Sequence, residues 1–125
     1  MSSILKSCPC ITRYEHNPIL SGKQIPYASD LVFNAGVIHW QGQYVMVFRN
    51  DYNHIEGSRF EGTNIGIAFS RDGITWQAGD KPCFDIQDKR KTAALFGTPE
   101  GEVTRCYDPR LTVTRAKKKP QGRLS

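Results

Sequence analysis

A chain of 125 residues with 38% hydrophobic content, 11 glycines and 7 prolines can form one small domain with a modest core and many turns. Five of its 17 lysines and arginines lie within residues 113–125, where there is no acid, so the rest of the chain carries as many basic as acidic residues. This neutrality does not support a phosphate-backbone footprint on the folded part, and no nucleic-acid partner is predicted for it.

The N-terminus and the cysteines exclude further classes. No apolar run is long enough for a signal peptide or for the roughly 20 residues of a membrane helix, which predicts a cytoplasmic protein without membrane contact. The four cysteines, Cys8, Cys10, Cys83 and Cys106, lack the paired spacing of a zinc site. Free thiols are favoured over a metal-ligand pair at Cys8 and Cys10, and no metal is predicted.

Short apolar runs separated by turn residues predict an antiparallel meander. After an irregular segment in which Pro18 and Pro26 oppose ladder pairing, strands are predicted over residues 31–38, 44–49, 64–70 and 74–76. Gly42 suits a tight turn at positive φ, and Gly73 lies in a second turn. Residues 50–63 are polar and contain glycine, which predicts a loop.

The second strand indicates how the sheet is covered. Tyr44, Met46 and Phe48 lie on one face, and Val45 and Val47 lie on the other, so both faces are apolar. A sheet that is apolar on both sides is predicted to lie between two other layers, as a propeller blade does. The predicted class is all-β, and a four-stranded propeller blade is favoured over a β-sandwich.

The chain after Trp76 has weaker signals. Residues 83–86 suit a short outer strand, residues 87–101 a polar connection with one helical turn, and residues 103–107 and 111–114 the start of a second blade. We divide the chain into an irregular N-terminal segment (1–30), a first blade with the start of a second (31–112), and a basic tail expected to be disordered or aberrant (113–125). Because propellers need four or more blades to close, we expect a fragment of a larger protein.

Two polar residues inside predicted strands need partners if they are buried. Arg49 shares a face with Val45 and Val47, and a buried guanidinium needs either an acid such as Asp51 or a ligand rich in hydroxyl groups. The amide of Asn34, within an apolar run, needs either a turn backbone or a ligand. The sequence leaves the structural and the functional interpretation open in both cases.

The tetrapeptide YDPR (107–110), near the end of the chain, combines an acidic and a basic residue. Pro109 is expected to restrict Asp108 to extended geometry, and Arg110 places a positive charge close to its carboxylate. A structural ion pair would explain such an aspartate. In an enzyme that cleaves glycosidic bonds, a positioned carboxyl group instead protonates the leaving oxygen.

The run from Ser70 to Trp76 is typical of a structural turn. Asp72 is expected to accept hydrogen bonds from the backbone beyond it, Gly73 to adopt positive φ, and Trp76 to pack on the sheet. No catalytic role is predicted for this run.

Five motifs occur in an order that resembles a known family. They are VFNAG (32–36), FRNDY (48–52), EGTNIGIA (61–68), SRDGITW (70–76) and YDPRLT (107–112). Together they resemble the start of glycoside hydrolase family 130, the β-mannoside phosphorylases, and are most similar to its 4-O-β-D-mannosyl-D-glucose phosphorylase branch. The resemblance covers residues 17–112 and ends where the lysine-rich tail begins.

The resemblance implies a five-bladed propeller that cleaves a β-1,4-mannosidic bond with inorganic phosphate and gives mannose 1-phosphate with inversion. It places the general acid at Asp108, which delivers its proton through a hydroxyl of the bound mannosyl unit. It places Asn34, Arg49 and Asp51 at the sugar site and Arg110 beside the acid. It implies no metal and no organic cofactor, a small carbohydrate and phosphate as the partners, and a complete enzyme that is compatible with a homo-oligomer.

Two other functions compete with phosphorolysis. A hydrolase of the same fold would release mannose with water, and cationic or carboxylate residues further along the chain would distinguish it. A non-catalytic module whose basic tail binds a polyanion would lose affinity steeply with salt. The 125-residue chain alone is expected to be inactive, because the phosphate-binding residues of the family lie beyond the motifs matched here.

Overall fold

The computed structural model describes residues 9–114 and contains one antiparallel sheet and one α-helix. The elements are β1 (Leu31–Trp40), β2 (Gln43–Glu56), β3 (Arg59–Ser70), β4 (Gln77–Ala78), β5 (Phe84–Asp85) and α1 (Lys89–Phe96), preceded by a 3-10 turn over Gly22–Gln24. The strand order is β1-β2-β3, and both β4 and β5 pair with β3. The mostly β, antiparallel architecture expected from the sequence is therefore confirmed.

The β1–β2 hairpin follows the turn chemistry of its sequence. Gln41 and Gly42 both have positive φ, 50° and 79°, and they join strands whose register pairs Trp40 with Gln43. Two residues at positive φ are the requirement of a type I′ turn, whose twist matches that of the flanking strands. The tight turn predicted at Gly42 is confirmed.

The loop predicted over residues 50–63 is wrong. These residues lengthen β2 and β3 into one long hairpin that turns at Gly57, where φ is 55°. Residues 53–59 of this hairpin are exposed, whereas Asn50 at its inner end is fully buried. The Nδ2 of Asn50 donates to Asn64 Oδ1 and to the carbonyl of Ala28, both at 2.9 Å. For this buried amide nitrogen, hydrogen bonds replace the solvation that a loop would provide.

The fourth strand lies later in the chain than predicted. Residues 74–76 form a bend, and pairing with β3 begins at Gln77. Two backbone bonds of 2.9 Å, from Gly79 N to the carbonyl of Ile67 and from Cys83 N to that of Ile65, continue the pairing to β5. The chain from β4 to β5 is thus one interrupted edge strand, and the outer strand predicted over residues 83–86 is confirmed as β5.

A short helix stands where the sequence indicated one helical turn. α1 begins after Asp88, whose Oδ1 accepts a hydrogen bond from Lys91 N at 3.0 Å, and it ends at Gly97 with φ 66°. These are the usual start and stop residues of a helix. No helix in residues 9–114 has the length and apolar character needed to span a membrane.

The turn from Ser70 to Trp76 has the structural role predicted for it. Asp72 Oδ1 accepts hydrogen bonds from the backbone N–H groups of Thr75 and Ile74, each at 2.8 Å, and these bonds lower the pKa of its carboxyl group. Gly73 has φ 78°, and its carbonyl accepts a bond of 3.1 Å from Trp76 Nε1. Trp76 is buried in the core, as expected.

Chain segments outside the sheet cover both of its faces. The first face carries the main core, to which the N-terminal segment contributes Leu20 and Ile25. On the second face, Val45 and Val47 are also buried. Residues 102–114 have no regular secondary structure, so the two strands predicted for a second blade are not observed. Residues 1–8 and the basic tail from residue 115 lie outside the described part.

Candidate functional site

Residues 106–110, named here the crossing segment, run over the second face of the sheet from β3 to β1. Successive residues of this segment contact the three long strands in turn: Cys106 meets Thr63, Tyr107 meets Arg49, Asp108 meets Asn34, and Pro109 lies over Gly36. The face that carries Arg49 and Asp51 is therefore the face to which the chain returns with Asp108. Residues far apart in the sequence meet here.

Arg49, which is half-buried, and Asp51, which is buried, form an ion pair beneath the crossing segment. Two residues apart on β2, they lie on the same face, and Asp51 accepts two bonds of 3.0 Å, from Nε to Oδ1 and from Nη2 to Oδ2. The side chains are only 18% and 7% exposed. The structural partner proposed for Arg49 from the sequence is confirmed, while the Nη1 group has no partner among the described residues.

Two aromatic rings hold the guanidinium of Arg49 from its sides. Its Cζ lies 4.6 Å from the ring centroid of Phe33 and 3.7 Å from that of Tyr107. Phe33 is opposite Arg49 in the β1–β2 register, so the strand pairing itself brings the two side chains together. The cation–π contacts with the two rings and the bidentate acid together fix the orientation of the guanidinium.

A β-bulge positions Asn34. Phe33 and Gly36 are three residues apart on β1, but their partners on β2, Arg49 and Val47, are only two residues apart. The extra residue of β1 forms the bulge, where Asn34 has φ 51°. Its Nδ2 donates a hydrogen bond of 2.7 Å to Asp108 Oδ1. The sequence suggested a buried amide, but Asn34 is exposed, because the bulge directs its side chain toward the crossing segment instead of the core.

Asp108 does not have the extended geometry that Pro109 predicted. It has φ 50°, a left-handed conformation that aspartate tolerates better than most residues, and the bond from Asn34 holds it there. Asp108 is exposed and forms no ion pair within residues 9–114. Arg110 donates from Nη1 to the carbonyl of Pro109 at 2.8 Å, so the predicted closeness of its charge to the carboxylate is not observed as a contact.

Gly36 allows the crossing segment to lie close to β1. A Cβ at this position would lie 2.8 Å from the carbonyl oxygen of Pro109 and 3.1 Å from the Cα of Arg110, both backbone atoms. We expect Gly36→Ala to lift the crossing segment and to cost about 1–3 kcal/mol of unfolding free energy, as overpacking does. Thermal or denaturant unfolding measures this loss.

Cys106 supplies a local probe for the same prediction. Burial is the largest cause that raises the pKa of its thiol, to about 11, so labelling by a thiol reagent at pH 8 is slow in the native chain. Gly36→Ala should accelerate labelling of Cys106, resolved from the other cysteines by mass spectrometry. Gly79→Ala is the control, because its Cβ would meet atoms only at 3.4 Å and beyond. Equal labelling in both variants would contradict the close packing.

A cleft opens beside the ion pair. It has a volume of about 200 Å³ and lies between the turn end of the β2–β3 hairpin and the start of the crossing segment. Arg49, Asp51 and Tyr107 line one side, and Arg59 and Arg105 also contribute. Within residues 9–114, no three His, Cys, Asp or Glu side chains are grouped closely enough to hold a metal ion.

The structure brings most of the predicted site residues together. Asn34 contacts Asp108, Asp108 follows the ring that stacks on Arg49, and Arg49 binds Asp51. Sequence reasoning missed Phe33 and Tyr107 as the rings that hold the guanidinium. The pairing of β1 with β2 places Phe33 opposite Arg49, so the sequence pattern of the two strands contained the signal for Phe33. The contact of Tyr107 could be found only from the path of the crossing segment.

Known proteins similar to this chain define a class, the β-mannoside phosphorylases. The chain is 29% identical over 104 residues to the beta-1,4-mannooligosaccharide phosphorylase of Ruminococcus albus, a match covering 81% of this chain and 28% of that protein. It is 31% identical over 111 residues to the beta-1,2-mannobiose phosphorylase of Thermoanaerobacter sp., covering 82% and 33%. The chain thus spans about a third of the length of these relatives. No family model and no solved structure matches.

Proposed function

We propose that this chain forms the acid-bearing part of an inverting β-mannoside phosphorylase. The observation that carries the proposal is the exposed carboxylate of Asp108, fixed by Asn34 on the sheet face that also holds the Arg49–Asp51 pair. The similarity of most of the chain to two mannoside phosphorylases supports the same conclusion. The five-stranded sheet would be one blade of a propeller whose other blades belong to the complete enzyme.

Asp108 is the proposed general acid. Its Oδ1 is occupied by Asn34, and its Oδ2 has no partner among the described residues, so one oxygen is held while the other remains free to transfer a proton. The acid protonates the oxygen that leaves the cleaved β-mannosidic bond, through a hydroxyl of the mannosyl unit as in the resembled family. Inorganic phosphate attacks the anomeric carbon from the opposite side and gives mannose 1-phosphate.

Arg49, Asp51, Asn34 and Arg110 are the proposed substrate-binding residues. With Nε and Nη2 engaged by Asp51, Arg49 retains the two N–H groups of Nη1 for sugar hydroxyls. Its rigid mounting supports precise orientation of the sugar, because the donor loses little freedom on binding. Arg110 would have to leave the carbonyl of Pro109 to reach a ligand.

The chemistry requires phosphate as co-substrate and neither a metal nor an organic cofactor. An inverting hydrolase places a second carboxylate where a phosphorylase binds phosphate with cations. In the resembled family those cations lie beyond the matched motifs. We therefore propose that activity belongs to a complete, cytoplasmic enzyme containing this segment, and that the isolated chain does not turn over substrate.

The experiment uses a chimera in which the matching segment of the Ruminococcus albus phosphorylase is replaced by residues 17–112 of this chain. We expect release of mannose 1-phosphate from mannobiose or mannosyl-glucose that rises with phosphate concentration and is absent without it. Release of free mannose at a rate independent of phosphate would establish the hydrolase instead. A folded chimera that binds mannosides but cleaves none would support a binding module.

A further inference from the structure

The cleft beside the Arg49–Asp51 pair has an excess of positive charge. Among the residues lining it are three arginines, Arg49, Arg59 and Arg105, and one acid, Asp51. Arg49 and Asp51 neutralise each other through their two hydrogen bonds. Arg59 and Arg105 therefore give the cleft its net charge, and both are exposed at its rim.

These two arginines have unused hydrogen-bonding capacity. Arg59 contacts Glu56 at 3.2 Å, but both side chains are about 70% exposed, and such a surface pair contributes at most about 1 kcal/mol. Arg105 donates to the carbonyl of its neighbour Thr104 and has no acidic partner among residues 9–114. Planar guanidinium groups bind carboxylates and phosphates in a bidentate manner.

The remaining walls suit a sugar ring. Phe60 and Tyr107 contribute aromatic surface, and Tyr107 is 51% exposed although it also packs on Arg49. Ser58 contributes an exposed hydroxyl group, and Thr63 also lines the cleft, with its hydroxyl donating to the carbonyl of Cys106. Apolar ring surface combined with a few polar groups is characteristic of small-ligand pockets, whose usual volume is roughly 300–1,000 Å³. A volume of about 200 Å³ suits a single sugar ring better than an oligosaccharide.

We propose that this cleft binds one sugar ring bearing a carboxylate or phosphate group, with Arg59 and Arg105 as the anion-binding residues. The proposal rests on the proposed function in taking the ligand to be a sugar. Tyr107 lines the cleft, and Asp108, which directly follows it in the chain, contacts Asn34 on β1 and does not line the cleft. We take the ligand to be the sugar released by cleavage, or accepted in the reverse reaction, which is then an acidic sugar.

The test is equilibrium binding to the 125-residue chain by calorimetry or NMR titration. The probes are glucose, glucuronate, glucose 6-phosphate and inorganic phosphate. Glucuronate or glucose 6-phosphate should bind roughly tenfold more tightly than glucose, and more tightly than inorganic phosphate, which lacks a ring. Raising the salt concentration should weaken binding of the charged sugar but not that of glucose.

Three substitutions locate the anion site. Arg59→Gln and Arg105→Gln should each weaken binding of the charged sugar by about fivefold to tenfold. Arg105→Lys keeps the charge but loses the planar guanidinium that binds an anion through two hydrogen bonds. Its affinity for the charged sugar should therefore lie between those of the original chain and Arg105→Gln. Arg90→Gln, an exposed arginine on α1 away from the cleft, should have no effect. Backbone NMR spectra establish that each variant remains folded.

Specific outcomes overturn the proposal. Glucose binding as tightly as glucuronate and glucose 6-phosphate, phosphate alone binding as tightly as the charged sugars, or equal losses in Arg90→Gln and Arg105→Gln would each do so. Asp108→Asn separates this inference from the proposed function, since it should leave anion-selective binding intact while removing phosphorolysis in the chimera. Selective binding in a chimera that never consumes phosphate would refute the proposed function alone.

Discussion

Asp108→Asn is expected to reduce phosphate-dependent release of mannose 1-phosphate by roughly 10²–10⁴-fold, the usual contribution of general acid catalysis. The substitution removes the transferable proton but changes little else. Asparagine retains a side-chain oxygen that can accept the 2.7 Å bond from Asn34 Nδ2, and it tolerates the left-handed conformation, φ 50°, observed at this position. The chimera carrying residues 17–112 is the protein to assay.

If Asp108 had only a structural role, its substitution would affect stability instead of catalysis. In that case Asp108→Asn would lower the melting temperature and leave the turnover of folded enzyme nearly unchanged. Asn34→Ala is the companion variant, because it removes the bond that holds the carboxylate but leaves the acid present. We expect it to reduce the rate constant less than Asp108→Asn does.

Sequence patterns predicted the parts of the fold that depend on local chemistry. The paired positive-φ residues at Gln41 and Gly42, and the side-chain bonds of Asp72, are decided by a few neighbouring residues. The hairpin over residues 50–63 was missed for the converse reason. Asn50 is polar yet fully buried, and its bonds to Asn64 on the neighbouring strand and to the carbonyl of Ala28 explain this. Composition cannot distinguish a solvated polar residue from a paired one.

The site illustrates the same limit at longer range. The side of the sheet on which Arg49 and Asp51 lie follows from strand alternation, and their ion pair was among the interpretations of the sequence. The geometry of Asp108 was predicted wrongly, because the local effect of Pro109 is overcome by the contact with Asn34, 74 positions earlier in the chain. A bulge in β1 makes that contact, and no residue pattern in β1 indicated the bulge.

Arg49→Met is expected to lower the free energy of unfolding by about 3 kcal/mol, the usual cost of removing one partner from a buried ion pair. The loss arises because Asp51, only 5% exposed, would keep a desolvated carboxylate without its two hydrogen bonds. The contacts of the guanidinium with the rings of Phe33 and Tyr107 would be lost as well, and this loss would loosen the crossing segment. Denaturant unfolding of the 125-residue chain measures the change.

Two matched variants distinguish the buried pair from an ordinary charge contact. Arg59→Met breaks the Arg59–Glu56 pair, whose side chains are 69% and 72% exposed, and it should cost at most about 1 kcal/mol. The double variant Arg49→Met/Asp51→Leu also removes the carboxylate that Arg49→Met leaves without its partner. It should recover most of the lost free energy of unfolding, since apolar replacements of buried pairs are often neutral. Equal losses in Arg49→Met and Arg59→Met would contradict the prediction, because the pair would then contribute no more than an exposed one. A large loss without recovery in the double variant would show that the guanidinium acts through its contacts with the two rings. The crossing segment, and Asp108 with it, would then depend on aromatic packing more than on charge.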